Sequence, residues 1–172
     1  MSKLALTISS VALVLLCSTP AFAQAGRRKA ADDPDMKELA SYTLTMDGLN
    51  KVDAANRAMF AAIKKDPSLK PKDDDSTGDA KTLTDMEKKI NGMPVMAAAL
   101  KQAGMSARDY AKFMMAMMQA SFAMMAKQMS VKAGKPFQTP EGVNPANITF
   151  VEQHQADLKK LEESYNALNG DK

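Results

Sequence analysis

SARDYAKFMMAMMQASFAMMAKQMS, residues 106–130, holds seven of the chain's fifteen methionines and decides the fold. Ser106 offers the hydroxyl of a helix N-cap, and Asp109, three positions on, is spaced to reach back to the free amide of the cap residue. Turning each successive residue by ~100° gathers Tyr110, Phe113, Met114, Met115, Met117, Met118, Phe122, Met124, Met125 and Met129 on one broad arc. Lys112, Ala116, Gln119, Ala123, Lys127 and Ser130 fill the narrower arc opposite. So wide an apolar arc predicts a helix packed by neighbours on several sides, with alanines at its polar edge that let another helix approach closely. Fourteen residues separate Lys112 from Lys127, Gln119 and Ser121 among them, whereas a bilayer span needs ~20 apolar residues. The stretch therefore predicts a core helix.

Outward from it, punctuation residues divide the chain into further helices. Gly104 is placed to end, in a left-handed conformation, a short helix that Pro94 begins and whose apolar face is Val95, Met96, Ala99 and Leu100. Asn91-Gly92 breaks this helix from another that runs through Ile90, and the Thr84-x-x-Glu87 spacing predicts a capping box at that helix's start. Leu49, Val52, Met59, Phe60 and Ile63 mark one face of a helix of ~5 turns, capped by Thr45 and ended by Asp66-Pro67. Met36 to Leu44 adds a helical turn or two. Beyond residue 130, Gly134, Pro136, Pro140 and Pro145 predict a loop. Asn147 then caps a last helix, in which Val151, His154, Leu158, Leu161, Tyr165 and Leu168 alternate by three and four as a bundle seam. Tryptophan is absent, aromatics are scarce, and alanine, lysine, aspartate and methionine dominate. The expected fold is all-α: a bundle of four or more helices around residues 106–130. It forms one domain over 36–172, with loops at about 66–82 and 131–147.

The first 23 residues have the form of a secretory signal peptide: Lys3, an apolar core over 11–17, and Ala21-Phe22-Ala23 as a small-x-small cleavage site. Cleavage after Ala23 leaves a flexible, polar arm over 24–35 and removes Cys17, the only cysteine. The mature chain then has no disulfide, thiolate nucleophile or iron–sulfur ligand of its own, and no transmembrane span. The expected location is the bacterial periplasm or the extracellular space. Charges of both signs are mixed along the chain, whose formal charge is +3, and no basic stripe with interleaved aromatics points to nucleic acid.

Few residue patterns suggest chemistry. Asp73, Asp75, Thr77, Gly78 and Asp79 fall where the first half of an EF-hand loop puts its ligands and turn glycine, but Thr84 stands where the bidentate glutamate belongs. No Gly-x-Ser-x-Gly nucleophile motif occurs, and His154 is the only histidine, which argues against a catalytic zinc. Thioethers suit Cu(I), so Met114, Met117 and Met118 are metal-ligand candidates. Secreted b-type cytochromes of four-helix form hold haem between a Met near the first helix and a His on the last. Met36 or Met46 and His154 stand in the same chain order. Leu83-Thr84-Asp85-Met86-Glu87 comes near the Leu-Thr-x-x-Gln repeat of small periplasmic helical chaperones.

A broader resemblance spans most of the mature chain. Tyr42-Thr43-Leu44-Thr45-Met46, residues 94–100, Ala103-Gly104-Met105-Ser106-Ala107-Arg108-Asp109-Tyr110 and residues 147–151 resemble uncharacterised secreted all-helical proteins of environmental bacteria. The resemblance implies a bacterial envelope setting and a helical fold, and it transfers no catalytic residue. The expected role is non-enzymatic binding of an envelope protein, a peptide or an apolar small molecule. Met114, Met117, Met118, Phe122 and Met125 would line the groove, because adaptable methionine side chains accept varied partners. The alternative is handling of Cu(I) on the Met cluster, or of haem on His154; no cofactor is otherwise expected.

Overall fold

The computed structural model describes residues 33–71, 80 and 82–169. The signal peptide, most of the arm and the EF-hand-like positions Asp73 to Asp79 lie outside the described residues. Seven α-helices follow one another: α1 (Pro34–Ser41), α2 (Met46–Lys65), α3 (Leu83–Asn91), α4 (Pro94–Gln102), α5 (Ala107–Lys132), α6 (Pro145–Gln153) and α7 (Gln155–Asn169). A single 3-10 turn, Pro67–Leu69, follows α2, and no strand occurs among the described residues. The protein is an all-helical bundle with α5 at its centre, touching α1, α2, α3, α4 and α6.

Several of the predicted caps form. The Asp109 amide donates to Ser106 Oγ at 3.0 Å, and the Ser106 hydroxyl donates to Asp109 Oδ2 at 2.7 Å. The aspartate thus reaches the cap's hydroxyl rather than its amide. Thr45 accepts from the Gly48 amide at 3.1 Å to start α2. At the end of α4, Gly104 takes φ +67, and the amides of Gly104 and Met105 donate to the carbonyls of Lys101 and Leu100. That bond pair closes a helix through a left-handed residue and aims the chain straight into α5.

Other boundaries differ from expectation. α1 starts at Pro34, inside the predicted arm, because Asp33 caps it by accepting from the Asp35 amide. Thr82, not Thr84, caps α3, accepting from the Asp85 amide at 3.0 Å. The predicted Thr84–Glu87 box is absent since both residues have distant partners: the Thr84 amide donates to Asp35 Oδ2, and Glu87 binds Arg108. Asn144 caps α6, while Asn147 is only 2% exposed and serves as a bridge. Its Oδ1 accepts from the Leu44 amide at 2.8 Å and its Nδ2 donates to the Tyr42 carbonyl at 3.0 Å. The predicted last helix is two helices, broken at His154, which leaves helical geometry at φ −109, ψ 19.

The core is built from Leu39, Leu49, Val52, Leu83, Ile90, Leu100 and Phe113, each nearly sealed from solvent. α4 packs chiefly on α2, and α3 and α6 pack on α5. α6 starts beside Tyr42 and Leu44, close to Lys112, and ends with Glu152 bound to Lys127 at 2.8 Å. It therefore runs in the same sense as α5. No helix among the described residues is long and apolar enough to cross a membrane.

Candidate functional site

The inward face of α5 takes only part of the methionine arc. Its buried residues are Ala111, Phe113, Met115, Ala116, Ala120 and Ala123. α3 and α6 pack on this helix, and its small alanines are side chains that allow neighbouring helices to come near. The helix is packed by neighbours on several sides, as expected, with alanines among the contacting residues, but half of the arc faces solvent. Met114 is 38% exposed, Met118 50%, Phe122 65%, Met125 56% and Met129 66%. At the helix start the same angular sector is buried at Ala111, beside Tyr110, which bonds to Asn56 of α2. Past Met114 the sector is open.

Four of the five predicted ligand-contacting residues, Met114, Met118, Phe122 and Met125, therefore stand on one outward stripe. Met117 turns inward and packs against the core, as does Met124, whose sulfur accepts from Gln155 Nε2 at 3.1 Å. The stripe runs along one solvent-facing side of the helix. Two of its neighbouring lysines are paired, Lys112 with Asp109 and Glu38 and Lys127 with Glu152, while the exposed Lys132 stands at its end. The open apolar depressions lie elsewhere. One of about 320 Å³ sits between α2 and α4, against Ala58, Ala62, Pro94, Val95 and Ala99. None of the residues lining it is titratable.

The metal and haem candidates are not gathered. Met114 and Met118 face out one turn apart, but Met117 points to the core side, so the three sulfurs do not share a face. Met36 packs beside Gly142, ahead of α6, and Met46 opens α2 next to the Leu44–Asn147 bond. His154 lies past the far end of α6, its ring 4.6 Å from that of Phe150 and its Nδ1 3.5 Å from Asp157. The length of α6 thus separates His154 from Met46. Among the described residues no group of three or more His, Cys, Asp or Glu is placed to hold a metal ion.

Two polar clusters were not singled out from the sequence. Arg108, at the start of α5, donates to Asp35 and Glu38 of α1 and to Glu87 of α3. Its guanidinium holds the Glu38 carboxyl below its ordinary range. For Asp35 the Thr84 amide is the largest cause of the same downward shift, ahead of Arg108. Lys112, and then the Ser106 hydroxyl, lower Asp109. The second cluster joins α5, α2 and α7. Tyr110 donates to Asn56 Oδ1, Asn56 donates to the Tyr165 hydroxyl, and that hydroxyl donates to Asp53, which Arg57 grips. Burial pushes the Tyr110 and Tyr165 hydroxyls up to about 12. Every charged member of both clusters has a partner, so each cluster holds helices together rather than presenting a reactive group. The residues of the Gly-Met-Ser-x-Arg-Asp-Tyr corner are explained by these bonds. A sequence signal for Arg108 was confined to its place in that corner, because its partners lie 21 to 73 residues away.

No protein-family model matches the chain, and neither the curated proteins nor the solved structures contain a match.

Proposed function

We propose that this chain is an exported, non-enzymatic interaction protein of the bacterial envelope whose working surface is the outward stripe of α5. The observation that carries this reading is the exposure of Met114, Met118, Phe122, Met125 and Met129 on one helix face, while the face turned inward is made of four alanines with Phe113 and Met115. Exposed apolar patches of this kind mark contact surfaces, and methionine adapts its shape to what it meets. Sites for small molecules are concave and enclose their ligand; an exposed stripe along one helix suits a protein or peptide partner better. The export reading rests on residues 1–23, and the amino terminus of the secreted product should be Gln24.

The test is titration of a fluorescently labelled amphipathic Leu/Lys model helix against the purified protein. Saturable binding is expected, weakened at least ~10-fold when Met118 and Met125 are replaced by lysine, because a desolvated charge then faces the apolar partner. Binding that is absent, or indifferent to those two changes, would reject the stripe as the working surface. Metal content and the visible spectrum of the same sample decide the copper and haem alternative, which predicts bound copper lost with Met114, Met117 and Met118, or a Soret band lost with His154.

A further inference from the structure

We infer that, in the absence of another partner, the stripe of α5 is occupied by a second copy of this chain, seam against seam about a two-fold axis. The inference rests on the reading of the stripe as a contact surface and names its occupant. Three observations favour an identical partner.

The first is spacing. Met118, Phe122, Met125 and Met129 follow one another by four, three and four, continuing the register of the inward-turned Met115. That alternation is the one by which paired helices interdigitate their side chains.

The second is charge. Between Met118 and Met129 the positions flanking the seam are Gln119, Ser121, Ala126 and Gln128, all uncharged, and the exposed Lys132 stands just past its end. The lysines nearest in sequence, Lys112 and Lys127, are already tied to carboxylates of their own chain. Two copies of a cleaved chain, whose formal charge falls from +3 to +2 with the loss of Lys3, would ordinarily repel; here the like charge on the meeting faces is confined to the exposed Lys132 at the end of the stripe. A partner chosen by charge would instead call for a charged rim.

The third is area. Five side chains of ~150–200 Å² each, a little over half exposed, present on the order of 500 Å² of apolar surface per chain. Pairing removes at most roughly 1,000 Å² from these side chains, which only just reaches the size of a specific interface and implies a weak, reversible pair; closed two-fold pairs are the commonest assemblies of identical chains. A reversible dimer follows, tightest where Phe122 meets the facing helix, with the stripe released when a competing partner arrives.

Sedimentation velocity of the protein recovered from an exporting host, over a wide concentration series, tests this. A monomer–dimer equilibrium is expected, weakened at least ~100-fold by Met118→Lys with Met125→Lys, since each chain would bury unpaired like charges. The conservative pair Met118→Leu with Met125→Leu should retain the dimer, and circular dichroism confirms that each variant is folded. A chain that is monomeric at every concentration, or a dimer unchanged by the lysine pair, overturns the inference. Labelled-helix binding by a protein that stays monomeric would overturn it while leaving the proposed function intact; dimerisation without helix binding would do the reverse.

Discussion

Gly104 takes φ +67 with nothing within 4 Å of where a Cβ would stand, whereas in Gly48 a Cβ would meet the ring of Phe113 at 3.0 Å. An alanine at position 104 has room but the wrong backbone, and should cost about 1–2 kcal/mol through left-handed strain alone. At position 48 the backbone is helical and alanine gains ~0.5–1 kcal/mol of helix preference. Phe113 is 1% exposed and has nowhere to retreat, so overpacking of ~1–3 kcal/mol outweighs that gain. Urea midpoints should fall for both variants. They separate in combination: Phe113→Leu should cost less beside Gly48→Ala than alone, and should add independently to Gly104→Ala. Asn147 is a third position where one side chain decides a junction. Asn147→Ala strips the Leu44 amide of its acceptor, while the Tyr42 carbonyl keeps a bond from Asn144. One buried donor left unsatisfied predicts a loss of about 1–3 kcal/mol by denaturant melting. The sequence marked Asn147 only as a cap, because nothing local indicates that Leu44 comes to meet it.

At the scale of the helix, what was legible was local. Ser106, Thr45 and Gly104 mark their boundaries through bonds made within a few residues, and a sequence contains all the parties to such bonds. The orientation of α5 was not legible, for a physical reason. A hydrophobic arc states which face is apolar, but burial is decided by which neighbours arrive and how near they come. Ala116, Ala120 and Ala123, spaced by four and three, form the face that admits the closest approach, and that spacing was the available signal. The break at His154 escaped for a related reason: the alternation of three and four continues across it, while the chain turns so that Tyr165 reaches Asn56 and Phe60 of α2. The two faces of α5 should differ in their tolerance of substitution by leucine. Ala120→Leu, at a fully sealed position, should cost ~1–3 kcal/mol by overpacking. Met118→Leu, half in solvent, should stay within ~0.5 kcal/mol of the parent. Equal effects in thermal melts would mean that the two faces do not differ in packing, and a larger loss at Met118 that they are assigned the wrong way round. Dilute peroxide gives an independent measure: Met114, Met118, Met125 and Met129 should form sulfoxides well before Met96 and Met115, as read by peptide mass spectrometry.

Across the whole molecule, helices distant in sequence are tied by two polar clusters that respond to opposite ends of the pH scale. Arg108 draws α1 and α3 onto α5 through Asp35, Glu38 and Glu87. Asp35 and Glu38 lie below their ordinary values of 3.8 and 4.5 in the folded protein. Groups held low in this way contribute stability that is complete above the unfolded values and is lost as pH falls through the folded ones. The melting temperature should therefore hold from neutrality to about pH 5 and decline below about pH 4. Arg108→Lys keeps a charge but cannot reach three carboxylates with one planar fork; it should melt lower at neutral pH and show a shallower acid decline. The Tyr110–Asn56–Tyr165 chain sets the alkaline limit. Both hydroxyls ordinarily ionise near 10.0 and are raised by burial to about 12 in the folded state. A raised value means that the fold favours the protonated phenol, so this contribution is complete below 10.0 and is lost as pH climbs toward 12. Tyr110→Phe removes the more deeply buried of the two ionisations together with the bond to Asn56. It should lower the melting temperature at pH 7 by the loss of that bond and flatten the decline above pH 10, read by circular dichroism while absorbance follows phenolate formation. A parent protein whose tyrosines all ionise near 10.0 without unfolding would show that α5, α2 and α7 are not joined through these hydroxyls.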